Sequence, residues 1–201
     1  MFRNMSSTTR SVATLEGLRA LAHPTRLALL DLLRVRDTLT ASESATLLGL
    51  TPKTCSYHLR ILAAQGLVEP AVVAGASLRE RPWRRATRET DVPLEDVSTD
   101  DPELETAQEQ FVRVRLHRDQ ALLQEFVARR DAHHAGWNSS VTMHSRTALM
   151  SPAELHAWGR EVESITREHV RRAELASSEA QEPVRLILYG FPQTMPGGGQ
   201  A

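Results

Sequence analysis

One five-residue stretch, Leu48-Gly49-Leu50-Thr51-Pro52, constrains this chain more than any other. Glycine suits the left-handed backbone that follows a helix. Threonine is a good helix N-cap, and proline fits the first helical position, where an N–H would have no helical partner anyway. Two helices must therefore meet across a bend of a few residues, one over 42–48 and one from 52 to about 65, where Gly66 stops it. In the second, Cys55, Leu59 and Leu62 follow i, i+4, i+7 spacing and belong to a core, with Leu50 pointing inward from the bend. Lys53, Thr54, Ser56, Tyr57 and Arg60 are left on the outer side.

The flanks extend this pattern. Helices are expected over 12–21 and 25–34, separated by His23-Pro24-Thr25, with Leu27, Leu30 and Leu33 at helical spacing and Leu29 and Leu32 widening the apolar side. Residues 67–88 alternate strand-like apolar residues with a glycine-containing turn and read as a β-hairpin, or wing. It carries Arg79, Arg81, Arg84, Arg85 and Arg88, and Trp83 anchors it to the domain. Short helices, a tight bend and a basic hairpin make a winged helix-turn-helix. Such a reading helix must fit a major groove about 12 Å wide, offer short polar or basic side chains to base edges, and keep its other side in the core. Residues 51–62 meet both demands. The wing arginines suit phosphate or minor-groove contact beside it.

Charge divides the chain in the same way. Residues 1–88 hold 13 basic and 6 acidic side chains, a balance of +7; residues 89–201 hold 11 and 19, a balance of −8. The basic half attracts phosphate, and the acidic half has another task. One cysteine, Cys55, excludes an intramolecular disulfide framework and fits a reducing compartment. No apolar run approaches the roughly 20 residues that span a bilayer, and the first residues lack an apolar export signal, so no membrane partner and a cytoplasmic location are expected.

The residues LAHPTRLALLDLL, the Leu-Gly-Leu bend and SYHLRILAAQGLVEP closely resemble the winged-helix domain of the ArsR-type (arsenical-resistance repressor) regulators. Ser56, His58, Leu59, Leu62, Gly66, Leu67 and Val68 occupy the positions of that pattern, which covers about residues 13–88. The resemblance implies a homodimer that represses transcription at palindromic operators and lets go when an effector binds. It does not extend to the metal sites. The arsenic- and cadmium-type sensors carry paired cysteines in the helix before the bend, where this chain has SESATLLG. Cys55 stands where a buried Val or Ile is usual, so it reads as inert packing, with redox sensing as the alternative.

The zinc sensors resemble Asp-x-His, ten residues, His, two residues, Glu or His. Here Asp131, His133, His144 and Thr147 fall at that spacing, with His134 adjacent. Gly136-Trp137-Asn138-Ser139-Ser140 breaks the helix that would align them, and threonine is not a competent fourth ligand. No metal or cofactor is therefore expected. A metal sensor using His133 and His144, and a winged-helix protein-interaction module that never touches DNA, are the alternative readings. No catalytic motif stands out, and the chain does not read as an enzyme.

The rest of the chain is organised around helices. Residues 89–101 form an acidic linker, and 102–135 carry a long helix with Leu104, Ala107, Phe111 and Val114 on one stripe, broken by Arg118 and resumed at Leu122 and Phe126. Ser151-Pro152-Ala153-Glu154 starts a further helix with Leu155, Trp158, Val162, Ile165 and His169 aligned. Short strands are expected at 141–150 and 184–191, and 193–201 reads as a disordered tail. The expected architecture is mainly α with a small β-hairpin wing: a winged helix-turn-helix domain over 12–88, then a helical dimerisation or effector region over 102–192. Operator DNA, a second copy and an unnamed small-molecule or protein effector are the expected partners.

Overall fold

The computed structural model describes residues 14–72, 81–86, 100–129, 137, 140–176 and 181–193. It divides into two compact units, Met1–Arg129 and Arg130–Ala201.

The first unit is built on local caps. Helix α1, Leu15–Leu21, starts where the Thr14 hydroxyl accepts the Gly17 N–H at 3.1 Å. Helix α2, Pro24–Val35, is capped by His23, whose Nδ1 accepts the Thr25 N–H at 3.2 Å. Helix α3, Ala41–Leu48, opens with a reciprocal box. The Thr40 hydroxyl takes the Glu43 N–H, and the Glu43 carboxylate takes the Thr40 N–H. It closes on Gly49 in the left-handed conformation, φ 64° and ψ 32°. Helix α4, Pro52–Ala64, follows with Thr51 as its N-cap. The bend therefore has the predicted chemistry at each position, with one correction. Leu50 donates its N–H to Ala45 but remains 39% exposed, so its side chain covers the core only in part.

Strands β1, Val68–Pro70, and β2, Trp83–Arg85, pair antiparallel with Glu69 opposite Arg84 and Val68 opposite Arg85. Leu39 and Trp83 exchange both main-chain hydrogen bonds, at 3.0 and 2.8 Å. The base of the wing is thus stitched to the residue just ahead of α3. The fold is mainly α with a two-stranded wing, as the sequence implies.

One core holds this unit together. Leu18 and Leu21 of α1, Leu29 and Leu33 of α2, Ala45 of α3, Cys55, Leu59 and Leu62 of α4, and Leu67 and Val68 all contribute. So do Ala107 and Phe111 of helix α5, Pro102–Ala128. The sequence reading groups this helix with the C-terminal region; its first half instead packs on α1 and α2. Arg118, which breaks the apolar stripe, is where packing gives way to ion pairing: its Nε and Nη2 donate to Asp31 of α2 at 3.0 and 2.8 Å. Both side chains are largely covered, so Arg118→Met should lower unfolding free energy by about 1 kcal/mol. The check is the urea midpoint at unchanged m-value.

The second unit has helix α6, Pro152–Ala176, opened by the predicted box: Ser151 and Glu154 bond each other's main chain and side chain at 2.7 to 3.3 Å. Leu155, Trp158 and Val162 are half-buried, whereas Ile165 and His169 are exposed. The strands expected at 141–150 and 184–191 do not form; the described residues hold one sheet, β1 with β2. Apolar alternation alone does not make a strand, because the ladder needs a neighbouring chain segment in register. Residues 181–191 instead return along α6. The Gln181 side-chain amide donates to the Ala173 carbonyl at 2.9 Å, and a Cβ at Gly190 would stand only 2.7 Å from the Trp158 ring. Gly190 is thus where the segment comes closest to the helix.

Candidate nucleic-acid interface

Helix α4 has two sharply different sides. Cys55, Leu59 and Leu62 are fully buried, which spends the inward side on the core. Lys53, Tyr57 and Arg60, at i, i+4 and i+7, are exposed along the opposite stripe, and Ala64 continues it. Tyr57 is 60% exposed, a large amphipathic side chain held in solvent. Among the described residues neither Lys53 nor Arg60 is held in an ion pair, so their charges are available to phosphate or base edges.

Thr54 and Ser56 are half-buried on the shoulders of this stripe. Thr54 is already engaged, its N–H donating to the Thr51 hydroxyl at 3.1 Å and the two hydroxyls lying 2.9 Å apart. It holds the helix start in place as much as it faces outward. Cys55 is buried, and burial pushes its thiol above the usual range, against a reactive thiolate.

The wing arginines do not behave alike. Arg81 is exposed and in no ion pair among the described residues. Arg84 lies across the ladder from Glu69, with Nε and Nη2 at 2.8 and 2.6 Å from the same carboxylate oxygen. Its charge is largely compensated within the wing. Arg85 is half-buried at the base of the wing. Arg79 and Arg88 lie outside the described residues. Glu69 is the residue that sequence reasoning missed here. The strand register would have revealed it, but that register is set by a turn of undefined length.

Behind the stripe sits a histidine pair. The ring of His58, on the inward side of α4, lies 4.4 Å from that of His23, and Tyr57 stands edge-on to His58 at 5.2 Å. Burial, then the Arg26 guanidinium, holds His23 below its usual value of 6.5. Burial, then the charges of His23 and Arg26, does the same for His58. Both rings take up a proton more readily in the unfolded chain. Their contribution to stability is therefore complete above pH 6.5 and lost as pH falls through the depressed folded-state values. The unfolding free energy should decline by up to about 1.4 kcal/mol per pH unit for each ring in that window. Replacing His58 with Gln should roughly halve the slope. Urea midpoints at steps between pH 7.5 and 5 would measure it, a range above that in which Glu43 titrates, its carboxyl lowered by the Thr40 N–H and hydroxyl.

The zinc-type set does not assemble among the described residues. His144 and Thr147 are exposed, Asp131, His133 and His134 lie outside those residues, and no cluster of three or more His, Cys, Asp or Glu suited to a metal occurs among the described residues. No helix described is long and apolar enough to cross a membrane.

Residues 21–71 match the model of a family described as a helix-turn-helix domain. The chain thus carries a helix-turn-helix domain, centred on α3, the Gly49 bend and α4. A solved structure described as the transcriptional regulator homologue protein from Pyrococcus horikoshii OT3 is similar at 24% identity. That likeness covers 53% of this chain and 87% of the other, with a TM-score of 0.30. No curated protein matches the chain.

Proposed function

We propose that this chain is a homodimeric transcription regulator of the ArsR type that represses by occupying operator DNA. Lys53, Tyr57 and Arg60 enter the major groove, with Thr54 and Ser56 on the flanks of the same helix. Arg81 takes a backbone phosphate, Arg79 is assigned the same role from its place in the sequence, and Arg85 lies at the base of the same wing. Arg84 joins them only by exchanging Glu69 for a phosphate, which lowers its net contribution. The observation that carries this reading is the two-sided character of α4: a fully buried inward row and an exposed row of Lys53, Tyr57 and Arg60 directly after a capped bend. A helix used only as scaffold has no need to hold a tyrosine and two unpaired cations in solvent. The helix-turn-helix match supports the same reading. The repressor role and the ArsR type rest on the sequence resemblance.

The test is salt dependence. Fragments of the source genome selected by the full chain should bind with log Kd rising steeply in log salt, by about 0.9 for each phosphate neutralised. With at least three exposed cations per head and two heads, the slope should have a magnitude of about 5. A slope near zero, with binding retained at high salt, would assign the domain to protein contact instead.

A further inference from the structure

Helix α6 and the segment that returns along it form a unit with an unfinished core. No described residue of 140–193 is buried, whereas the first unit buries residues from every one of its helices. Ile165 of α6 and Val184, Leu186, Leu188, Tyr189 and Phe191 of the returning segment are 50 to 70% exposed. Isolated helices gain most of their stability by covering an apolar side, and an element with such a side is stable only against another layer. One extended segment covers Leu155, Trp158 and Val162 and no more.

Size and charge identify what completes it. Full burial of an aliphatic side chain removes roughly 60–120 Å² of apolar surface, and that of an aromatic more, so these six residues offer about 500 Å². A standard interface takes about 800 Å² from each partner, about 65% of it apolar in homodimers, which is again about 500 Å². The described residues of 141–193 hold six arginines and six glutamates, so this surface neither attracts phosphate nor selects a partner of one charge. A two-fold contact uses the same patch on both sides and needs no complementary surface elsewhere. We infer that the exposed apolar side formed by Ile165 and residues 184–191 is where a second copy of this chain docks. The inference deepens the homodimer of the proposed function, on which it rests, and places the contact in the C-terminal unit, away from the reading head.

The experiment is sedimentation of the full chain over about 0.1 to 100 μM, wild type against Leu186→Glu combined with Leu188→Glu. The wild type should be dimeric in the micromolar range. The variant should dissociate at least about 100-fold more readily, since each copy would have to bury two unpaired carboxylates. Its far-UV circular dichroism should be unchanged, because both positions are open in a single copy. Should the variant fail to fold, hydrogen exchange of the wild type gives the same answer: amides of 184–191 should be protected above the dimer Kd and not below it. A wild type that remains monomeric at the highest concentration, a variant that dimerises as tightly, or protection independent of concentration would overturn the inference. A dimer without affinity for DNA would leave it standing and remove the DNA-reading proposal. A DNA-binding monomer would do the reverse.

Discussion

Lys53→Ala combined with Arg60→Ala should reduce operator affinity by at least about 100-fold while leaving the head folded. Each base-edge contact from such a side chain contributes about 1–3 kcal/mol, and two are lost from each head. The salt slope should become shallower by about 1 for each phosphate contact removed. Both side chains are exposed and support nothing beneath them, and alanine is a strong helix former. Unfolding free energy should therefore stay within about 0.5 kcal/mol of wild type. A mobility shift at several salt concentrations, paired with a thermal melt, separates lost recognition from lost structure. Unchanged affinity would mean that the exposed stripe of α4 reads no DNA.

The second large effect concerns stability. Phe111→Ala should cost about 3–5 kcal/mol, the usual range for removing a buried aromatic ring. Phe111 is 1% exposed and shares a core with Leu18, Leu21 and Ala107, at the joint between α5 and α1. A cavity there cannot collapse easily, because the ring is held between two helices. Against a total stability of perhaps 5–15 kcal/mol for a domain, the head would be close to unfolding at 37 °C. Leu123→Ala, farther along the same helix and 44% exposed, is the control and should cost less than about 1 kcal/mol. Urea midpoints for the pair test whether α5 is part of the head or an appendage to it. Equal, small losses would make it an appendage.

The sequence revealed most where the signal is local. Thr51, Pro52 and Gly49 act within a few residues of themselves, so the bend and the two sides of α4 could be read directly. The same holds for Ser151 and Glu154 at the start of α6. What escaped depends on partners far away in the chain. Glu69 neutralises Arg84 only because the strands pair in one register, and Arg118 meets Asp31 across 87 positions. The Thr40–Glu43 box is local and was legible; it was passed over because the helix was started at Ser42. Residues 184–191 have the composition of a strand, yet they lie along α6 because no described segment stands beside them to complete a ladder.

The stitch between Leu39 and Trp83 has a mechanical consequence. The wing's root and the start of α3 are one piece of main chain hydrogen bonding, so tugging on the wing loads the first turn of the reading module as well. Probe helix and hairpin should then travel as a single rigid jaw. A signal that frees such a protein from DNA would gain little by bending either part alone; its effective lever is the distance and angle between the two jaws of the pair.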